Sequence, residues 1–267
     1  MRYSAYIPCC NDVATIRAAV ESVLAQTLPP AEVLVVDDAS TDASLAQLAG
    51  LDIRVIRHES NLGRGAVRAR AMAEAREEFV LSCDATNRLP PGFAAAAAPL
   101  FAAERTAAAF GPLADPVPRG VASRWRARHL FRQDDQPGRH ARALLSTYGT
   151  FVRRGAAASV GGFTPTLRAT EDADLGRRLL AAGYDVVFAP ELTVWSNTVN
   201  SAAKVLERYW RWNYAAAGRA VLRSYPRLVW YSWRTMIAQD LRAGDWPAAA
   251  VSALCPHYCA ARSLFAR

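Results

Sequence analysis

The chain has 267 residues, of which 52% are hydrophobic, which is enough to build one large domain or one domain with an extension and argues against disorder. Its net charge of +8 is unevenly distributed, because residues 1–111 carry 10 basic and 13 acidic side chains whereas residues 112–267 carry 22 and 11. The basic part predicts contact with something anionic, such as a membrane surface, nucleic acid or a phosphorylated substrate.

The five cysteines are an odd number and indicate a reducing compartment rather than a disulfide framework. The sequence begins with Met1 and enters a predicted strand without the apolar run of a signal peptide. It also contains no stretch of about 18 apolar residues of the kind that spans a bilayer. These features favour a cytoplasmic protein.

Strands and helices are predicted to alternate along the first 200 residues. Apolar runs before turn residues predict strands, and apolar side chains at helical spacing predict helices. The predicted strands are 3–8, 33–36, 53–56, 79–82, 107–111, 144–152 and 186–188, and the predicted helices are 12–26, 44–49, 64–76 and 171–182. This α/β alternation is typical of a mostly parallel sheet with helices on both faces.

The remaining segments have a different character. Residues 112–142, rich in Pro, Gly and Arg, are predicted to form a long loop with one short helix near 122–131. Beyond residue 200 three helices are predicted without strands, at 204–223, 227–242 and 246–261. We therefore predict a domain at 1–200 and a basic, Trp-rich helical extension at 201–267.

Two turns carry the first functional signal. The strand 33–36 ends in Asp37 and Asp38, at the strand end where open α/β sheets bind ligands. The first strand ends in the turn 8–12, with the sequence Pro-Cys-Cys-Asn-Asp. A nucleotide base needs a flat slot and an acceptor for its ring N–H; Asp38 would supply the acceptor while the turn covers the ring. The alternative is that both aspartates only cap a turn.

An ordered set of motifs over residues 3–195 resembles the family-2 glycosyltransferases of the GT-A fold. Besides the two turns, it comprises Asn-Leu-Gly-Arg-Gly at 61–65 with Arg68, Leu-Ser-Cys-Asp at 81–84, Val-Gly-Gly-Phe at 160–163 and Glu-Asp-Ala-Asp-Leu at 171–175. The resemblance implies a GT-A-type, mixed but mostly parallel, Rossmann-like sheet. It also implies inverting transfer of a sugar from a UDP- or GDP-type nucleotide-sugar donor to an acceptor hydroxyl. The donor-binding residues implied are Pro8, Cys10, Asp12, Asp38, Arg68 and Asp84.

The segment 171–175 is the predicted catalytic element. Inverting transfer needs a carboxylate that takes the proton of the acceptor hydroxyl. By resemblance that base is Asp172, with Glu171 orienting the acceptor or the base. The alternative is a helix that Thr170 caps and that carries acids in its first turn. Glycines before the helix at 64–76 would let backbone N–H groups approach the diphosphate, to which Arg64 and Arg68 would add charge.

Two departures concern the metal that family members commonly hold with an Asp-x-Asp motif. Asp84 is present, but Thr86 replaces the second acid, and no histidine follows the last strand near 194–196. Three alternatives stay open. Asp84 and Thr86 could belong to a weak Mn²⁺ or Mg²⁺ site completed by Asn87 and the diphosphate. Arginines of 119–142 could neutralise the diphosphate instead. Finally, the chain could be a catalytically degenerate GT-A-like domain that binds a nucleotide-sugar or a protein partner.

The C-terminal extension has two readings. Its apolar and aromatic residues, among them Trp230 and Trp233, recur at helical spacing and suit either ordinary core or a bilayer interface with anionic headgroups. We favour the interface, and hence peripheral contact with the inner face of the cell membrane and a glycan or lipid-linked acceptor in the cell envelope. No nucleic-acid-binding module surrounds the basic residues. The run 255–259 offers three metal ligands at most, too few for structural zinc.

Overall fold

The computed structural model describes residues 1–135, 137–198 and 200–265, with the backbone alone at 215–219. Gln136, Val199, Ala266 and Arg267, which belong to the predicted loop and to the two predicted domains, lie outside the described residues. The chain divides into two compact units, the first containing 1–114 and 137–198 and the second 115–135 and 200–265. The boundary predicted at residue 200 places 115–135 with the first domain, whereas the structure packs this segment with the C-terminal helices.

The first unit is built on a mixed seven-stranded sheet of order β3-β2-β1-β4-β8-β6-β9, with a small three-stranded sheet of order β5-β10-β7. Strand β8 runs antiparallel to both of its neighbours, and the other adjacent pairs of the large sheet are parallel. The predicted α/β class with a mostly parallel sheet is confirmed. The strands are β1 (Tyr3–Cys9), β2 (Glu32–Asp37), β3 (Arg54–Arg57), β4 (Phe79–Cys83), β5 (Asn87–Arg88), β6 (Thr106–Phe110), β7 (Leu113–Ala114), β8 (Gly149–Arg153), β9 (Asp185–Phe188) and β10 (Val194–Ser196).

Helices cover both faces of the large sheet. Side chains alternate between the two faces along each strand, and those of β1, β2 and β4 are buried on both. On one face Val67, Ala156 and Leu175 join a core that includes the strand residue Tyr6. On the other face the ring of Phe151 stacks on a helix residue, Phe93, with ring centroids 6.3 Å apart. Up to residue 181 the helices are α1 (Ile16–Leu24), α2 (Arg64–Glu74), α3 (Phe93–Ala97), α4 (Val121–His129, in the second unit), α5 (Arg154–Ser159) and α6 (Glu171–Ala181).

The predicted strand at 144–152 begins five residues late, at Gly149. The residues before it bond to the carboxyl-terminal end of β4 and to Asp84 just beyond it, without extending the β8 ladder. The Thr147 carbonyl accepts a hydrogen bond from Ser82 Oγ at 2.9 Å, and the Tyr148 carbonyl accepts one from the Asp84 N–H at 3.2 Å. The predicted helix at 44–49 is likewise shorter, a single 3₁₀ turn at Leu45–Leu48.

The described part of the second unit is helical. Besides α4 it contains α7 (Ala202–Asn213), α8 (Tyr225–Tyr231), α9 (Ala238–Arg242) and α10 (Trp246–Leu264), and a π-helical segment, Ser232–Ile237, joins α8 to α9. The single helix predicted at 204–223 is wrong, because α7 ends at Asn213 and a 3₁₀ segment, Ala215–Ser224, follows. The side-chain amide of Asn213 donates to the carbonyl of Tyr209 at 2.8 Å, as short polar side chains do where a helix ends.

The core of the second unit contains a buried polar network around Asp240. Ser252 Oγ donates to one oxygen of this fully buried carboxylate at 2.5 Å, and His129 Nε2 lies 2.8 Å from the other. Trp125 Nε1 donates in turn to Ser252 Oγ at 2.9 Å. Burial alone would raise the pKa of Asp240, but the bonds from His129 and Ser252 outweigh it and hold this pKa below its ordinary value.

Among the described residues, no helix has both the length and the hydropathy needed to cross a bilayer.

Candidate active site

One cleft of about 200 Å³ opens where β1, β2 and β4 end, at their carboxyl-terminal edge. The structure brings together there every residue predicted to bind the donor, and both predicted metal positions. The cleft is lined by Pro8, Cys9, Cys10, Asp12, Asp38, Arg64, Val67, Arg68, Asp84, Ala85 and Thr86. Residues up to 78 positions apart in the chain thus share one open, polar hollow.

The side chain of Asn11 ties together the turns after β1 and β2. Its Oδ1 accepts the backbone N–H of Thr41 at 2.8 Å and that of Asp42 at 3.2 Å, while its own N–H donates to Ser40 Oγ at 3.0 Å. Asn11 and Ala39 both have a φ of 58°, a left-handed conformation that non-glycine residues seldom adopt. Asn11 is a structural determinant of the cleft that the sequence reasoning did not single out, although its place in the first turn was visible.

The carboxylate of Asp38 is buried and held by three donors. The backbone N–H groups of Leu62 and Gly63 donate to its two oxygens at 2.9 and 2.8 Å, and His58 Nδ1 lies 2.9 Å from Oδ1. Gly63 has a φ of 92°, which only glycine adopts readily. Because a carboxylate offers about four lone-pair sites, one remains for a donor in the cleft. The N–H groups of Leu62 and Gly63, which we expected near a phosphate, fix Asp38 instead.

Asp37 has a different role from its neighbour. Its fully buried carboxylate accepts the N–H of Ser40 at 3.2 and 3.3 Å and pairs with Arg57 at 3.2 Å, and it does not line the cleft. Asp37 therefore stabilises the turn after β2, which is the capping role that the sequence left open for both aspartates.

Asp12 brings a second acid to the cleft wall. Its Oδ2 accepts the backbone N–H of Cys10 at 2.9 Å. Burial raises the pKa of Asp12 and the neighbouring charge of Asp84 raises it further, whereas Arg64 opposes the shift. Arg64 is exposed at the first position of α2, and within the described residues no acid lies in ion-pair contact with it. Its guanidinium is thus available to an anion in the cleft.

Arg68 is a buried hub between two acids. Its Nε donates to Glu171 Oε1 and its Nη2 to Asp84 Oδ1, both at 3.0 Å. Its Nη1 donates to Ser82 Oγ at 2.8 Å and to the Tyr6 hydroxyl at 3.2 Å. These partners use most of the five N–H donors of a guanidinium. Arg68 thus lines the cleft, as predicted for a donor-binding residue, while it fixes Asp84 and Glu171.

Close packing between α2 and the segment before α6 places the predicted catalytic acids. The N–H of Gly65 donates to the carbonyl of Leu167 at 2.9 Å, and a Cβ on Gly65 would lie 2.3 Å from the carbonyl oxygen of Thr164. Only glycine allows this approach. The last residue before α6, Thr170, has a φ of 64° and no capping bond from its side chain, so the capping alternative for Thr170 is wrong. Strain of this kind in a β-branched residue occurs mostly at functional sites.

The two acids at the start of α6 have separate environments. Glu171 is 2% exposed, and its carboxylate accepts a hydrogen bond from Arg68. This carboxylate therefore holds Arg68 in place and is shielded from bulk solvent. Asp172 is half-buried, and in the described part of the chain its carboxylate accepts a single hydrogen bond, from the N–H of Ala173 at 2.8 Å. Burial raises the pKa of Asp172, as does the charge of Glu171, while Arg68 counteracts them. A carboxylate with few partners and a raised pKa is suited to proton transfer.

The residues at the predicted metal position do not fit a hard cation. Asp84 supplies one carboxylate, and one of its oxygens is already bonded to Arg68. Thr86 offers a neutral oxygen, and the buried side chain of Asn87 donates its amide to the Tyr148 carbonyl at 3.0 Å. Across the described residues, no three His, Cys, Asp or Glu side chains are grouped to hold a metal ion. Mn²⁺ and Mg²⁺ favour several oxygen ligands with negative charge, which this set lacks.

This sheet order, with a polar cleft at the ends of β1, β2 and β4, defines a GT-A-type glycosyltransferase fold. The model of the family "Glycosyl transferase family 2" matches residues 4–160, so the chain belongs to this family, whose members transfer sugars with inversion. The chain is 34% identical over 87 residues to EpsH of Bacillus subtilis (strain 168), a protein that is named as a glycosyltransferase. That match covers 31% of this chain and 25% of EpsH, so the chain spans a quarter of that relative.

Solved structures support the same fold. The S. aureus TarS fragment 1-349 in complex with UDP superposes with a TM-score of 0.58 at 21% identity, over 77% of this chain and 63% of that one. The mannosyltransferase PcManGT from Pyrobaculum calidifontis, in complex with GDP-Man and Mn²⁺, superposes with a TM-score of 0.58 at 17% identity, over 99% of this chain and 73% of that one. At these identities the likeness concerns the fold.

Proposed function

We propose that this protein transfers a sugar from a nucleoside-diphosphate donor to an acceptor hydroxyl, with inversion at the anomeric carbon. The observation that carries the proposal is the single cleft lined by all six predicted donor-binding residues, to which the catalytic helix α6 is tied through Arg68. Family membership and the UDP and GDP-Man bound by structural neighbours support the donor class.

The donor base binds against the turn after β1, with Asp38 as the acceptor for its ring N–H. The free lone-pair site of the Asp38 carboxylate supports this role, because its other three are occupied by Leu62, Gly63 and His58. Both uracil and guanine carry a ring N–H beside a carbonyl, so this contact alone admits UDP- and GDP-type donors.

Arg64 neutralises the diphosphate as it leaves. Its exposure at the start of α2 and its place in the lining of the cleft support this assignment. Arg68 contributes long-range positive charge, but its N–H groups hold acids of the protein. Positive charge that is already in place where negative charge develops stabilises the transition state without reorganisation.

Asp172 is the general base. As the acceptor oxygen bonds to the anomeric carbon, its proton passes to Asp172, and the bond from the anomeric carbon to the diphosphate breaks to release the nucleoside diphosphate. The raised pKa of Asp172 supports this role, because a stronger base takes the proton more readily. Glu171 is a positioning residue, because it holds Arg68, which bonds to Asp84 and whose charge acts on Asp172.

The acceptor proposed is a glycan or lipid-linked hydroxyl of the cell envelope. It is supported by the aromatic and arginine side chains that the C-terminal helices expose, whose chemistry suits a lipid surface. A second candidate, a GT-A-like domain that binds a nucleotide-sugar without transferring it, is favoured by one observation, the neutral Thr86 in the cleft.

Donor hydrolysis separates the two functions without knowledge of the acceptor. UDP, GDP, CDP and ADP are first compared by thermal shift, with and without Mn²⁺, because a ligand of the folded state raises the melting temperature. Nuclear magnetic resonance then identifies the sugar released from the matching donor. We expect a shift with UDP or GDP and, from an α-linked donor, the β-anomer as the first product. Binding without sugar release would support the non-catalytic domain, and absence of a shift with every nucleotide would contradict both.

A further inference from the structure

The second unit exposes an apolar stripe on the outer side of residues 225–242. Trp230 is 64% exposed, Trp233 72% and Leu241 38%, and all three line one open hollow of about 590 Å³. Among the residues that the structure describes, this segment alone lines the hollow, through Pro226, Val229, Trp230, Trp233, Arg234, Ile237, Ala238 and Leu241. Exposed tryptophans that are grouped on one face, and not scattered singly, indicate a surface for a partner or a membrane.

The inner side of the same segment is well packed, so the stripe is not a displaced core. Ser232 and Met236 are 3% and 2% exposed, and Ser232 Oγ donates to the Ser252 carbonyl at 2.6 Å. Asp240 anchors the end of the segment through Ser252 and His129. The segment therefore presents a fixed apolar face outward on a stable base.

The structure thereby separates the two readings of the C-terminal aromatic residues. Val205, Leu206 and Tyr209 of α7 lie in the core of the second unit, as the ordinary reading predicts. Trp230 and Trp233 lie on the surface, where the interfacial reading places them.

The residues around the stripe carry positive charge, which favours an anionic partner. Residues 223–242 contain four arginines, at 223, 227, 234 and 242, and one acid, Asp240, which is buried and bonded inward. The guanidinium of Arg234 lies over the ring of Trp230, 5.8 Å from its centroid. The outward surface thus combines tryptophan rings with positive charge, the combination by which amphipathic helices bind the headgroup region of anionic bilayers.

We propose that this outer face, residues 226–241, docks on an anionic lipid bilayer, with Trp230 and Trp233 inserted among the headgroups and Arg227 and Arg234 paired with lipid phosphates. The inference deepens the proposed function, because a lipid-linked acceptor is presented at such a surface. Its test involves no sugar transfer, so either proposal can fail alone.

The test is co-sedimentation of the full chain with vesicles of phosphatidylcholine, alone or with about a third of anionic phosphatidylglycerol. We expect binding to the anionic vesicles that weakens with salt. Trp230→Ala/Trp233→Ala should weaken it at least about tenfold, since each ring exposes on the order of 100 Å² of apolar surface. Arg227→Gln and Arg234→Gln should each weaken it about fivefold.

Trp212→Ala is the matched control, because Trp212 is a 49% exposed tryptophan on α7, outside the stripe. It should change binding by less than about twofold, and nucleotide thermal shifts should stay intact in all variants. Equal binding to neutral and anionic vesicles, no binding to either, or equal loss in the Trp212 variant would overturn the proposal. So would a wild-type dimer, detected by light scattering, that Trp230→Ala/Trp233→Ala converts to a monomer, since the stripe would then serve self-association.

Discussion

Replacement of Arg68 by methionine tests the buried hub beneath the cleft. Methionine has similar length but no charge, so Glu171, whose side chain is 3% exposed, loses its countercharge. Removing one partner of a buried ion pair costs about 3–5 kcal/mol. The Asp84 side chain is 31% exposed, and water screens its share of the penalty. We therefore expect Arg68→Met to lower the free energy of unfolding of the first unit by about 3–5 kcal/mol.

A double variant isolates the electrostatic part of this loss. Arg68→Met/Glu171→Gln removes the charge that the single variant leaves buried, so the double variant should recover about 2 kcal/mol relative to Arg68→Met. The assay is urea unfolding followed by mass-spectrometric labelling of Cys83, which is fully buried in β4. The labelling midpoint of Cys83 should fall by about 1–2 M in Arg68→Met. Cys255, buried in the second unit, is the internal control. The reasoning would be refuted if the Cys83 midpoint decreased by less than about 0.3 M, or if the double variant were no more stable than Arg68→Met.

Three further predictions follow from the charges. Arg64→Gln should weaken nucleoside-diphosphate binding by about 10- to 100-fold in calorimetry with the stability unchanged, whereas Arg70→Gln, an exposed control on the same helix, should not; equal effects would contradict the diphosphate role. The acid limb of kcat/KM should lie above the ordinary aspartate pKa, because burial and Glu171 raise the pKa of Asp172 and activity needs its ionised form; a limb at or below that value would count against the base. Asp240→Asn should destabilise the second unit by about 2 kcal/mol in urea. Because the pKa of Asp240 is lower in the folded state, its contribution to the stability of the second unit is fully present above the unfolded-state pKa and is lost as the pH falls through the folded-state pKa. A wild-type second unit whose stability did not decrease in acid would contradict this prediction.

Much of the first unit follows from local sequence patterns. Apolar runs at 33–36 and 79–82 are short, bounded by turn residues and buried, so β2 and β4 lie within one residue of prediction at either end. The Glu171–Ala181 helix was equally visible, because acids begin it and Leu175 and Leu179 recur on its buried side. Strands of two or three residues, such as β5 and β7, carry too few side chains to give a period.

The sequence indicated which residues line the site but not the hydrogen bonds that hold them. Motif order pointed to the residues that line the cleft, because strand ends meet at one edge of a parallel sheet. The bonds to Asp38 come from Leu62 and Gly63, 24 and 25 positions away, and depend on a left-handed glycine. No local pattern reports that a backbone N–H serves a distant carboxylate. For the same reason Arg68 looked free to face the diphosphate, although its partners Glu171 and Asp84 lie 103 and 16 positions away.

The second unit was the least predictable part. The short helix predicted near 122–131 is present as α4, but the surrounding loop sequence gave no sign that this helix supplies Trp125 to the core of the second unit. That assignment depends on packing against α7 and α10, which are remote in sequence. The π-helical segment at Ser232–Ile237 was also hidden, because π turns have no propensity signal distinct from that of α-helix.

The most direct test of the central claim compares Asp172→Asn with Asp174→Asn in sugar transfer and in nucleotide binding. Both residues lie in the first turn of α6, but Asp174 bonds to Thr164 and Arg178, which lower its pKa and occupy its carboxylate. We predict that Asp172→Asn lowers the transfer rate by about 10²- to 10⁴-fold with nucleotide affinity unchanged, while Asp174→Asn retains transfer. Transfer by the Asp172 variant within about threefold of wild type, with binding intact, would contradict the assignment of Asp172 as the base.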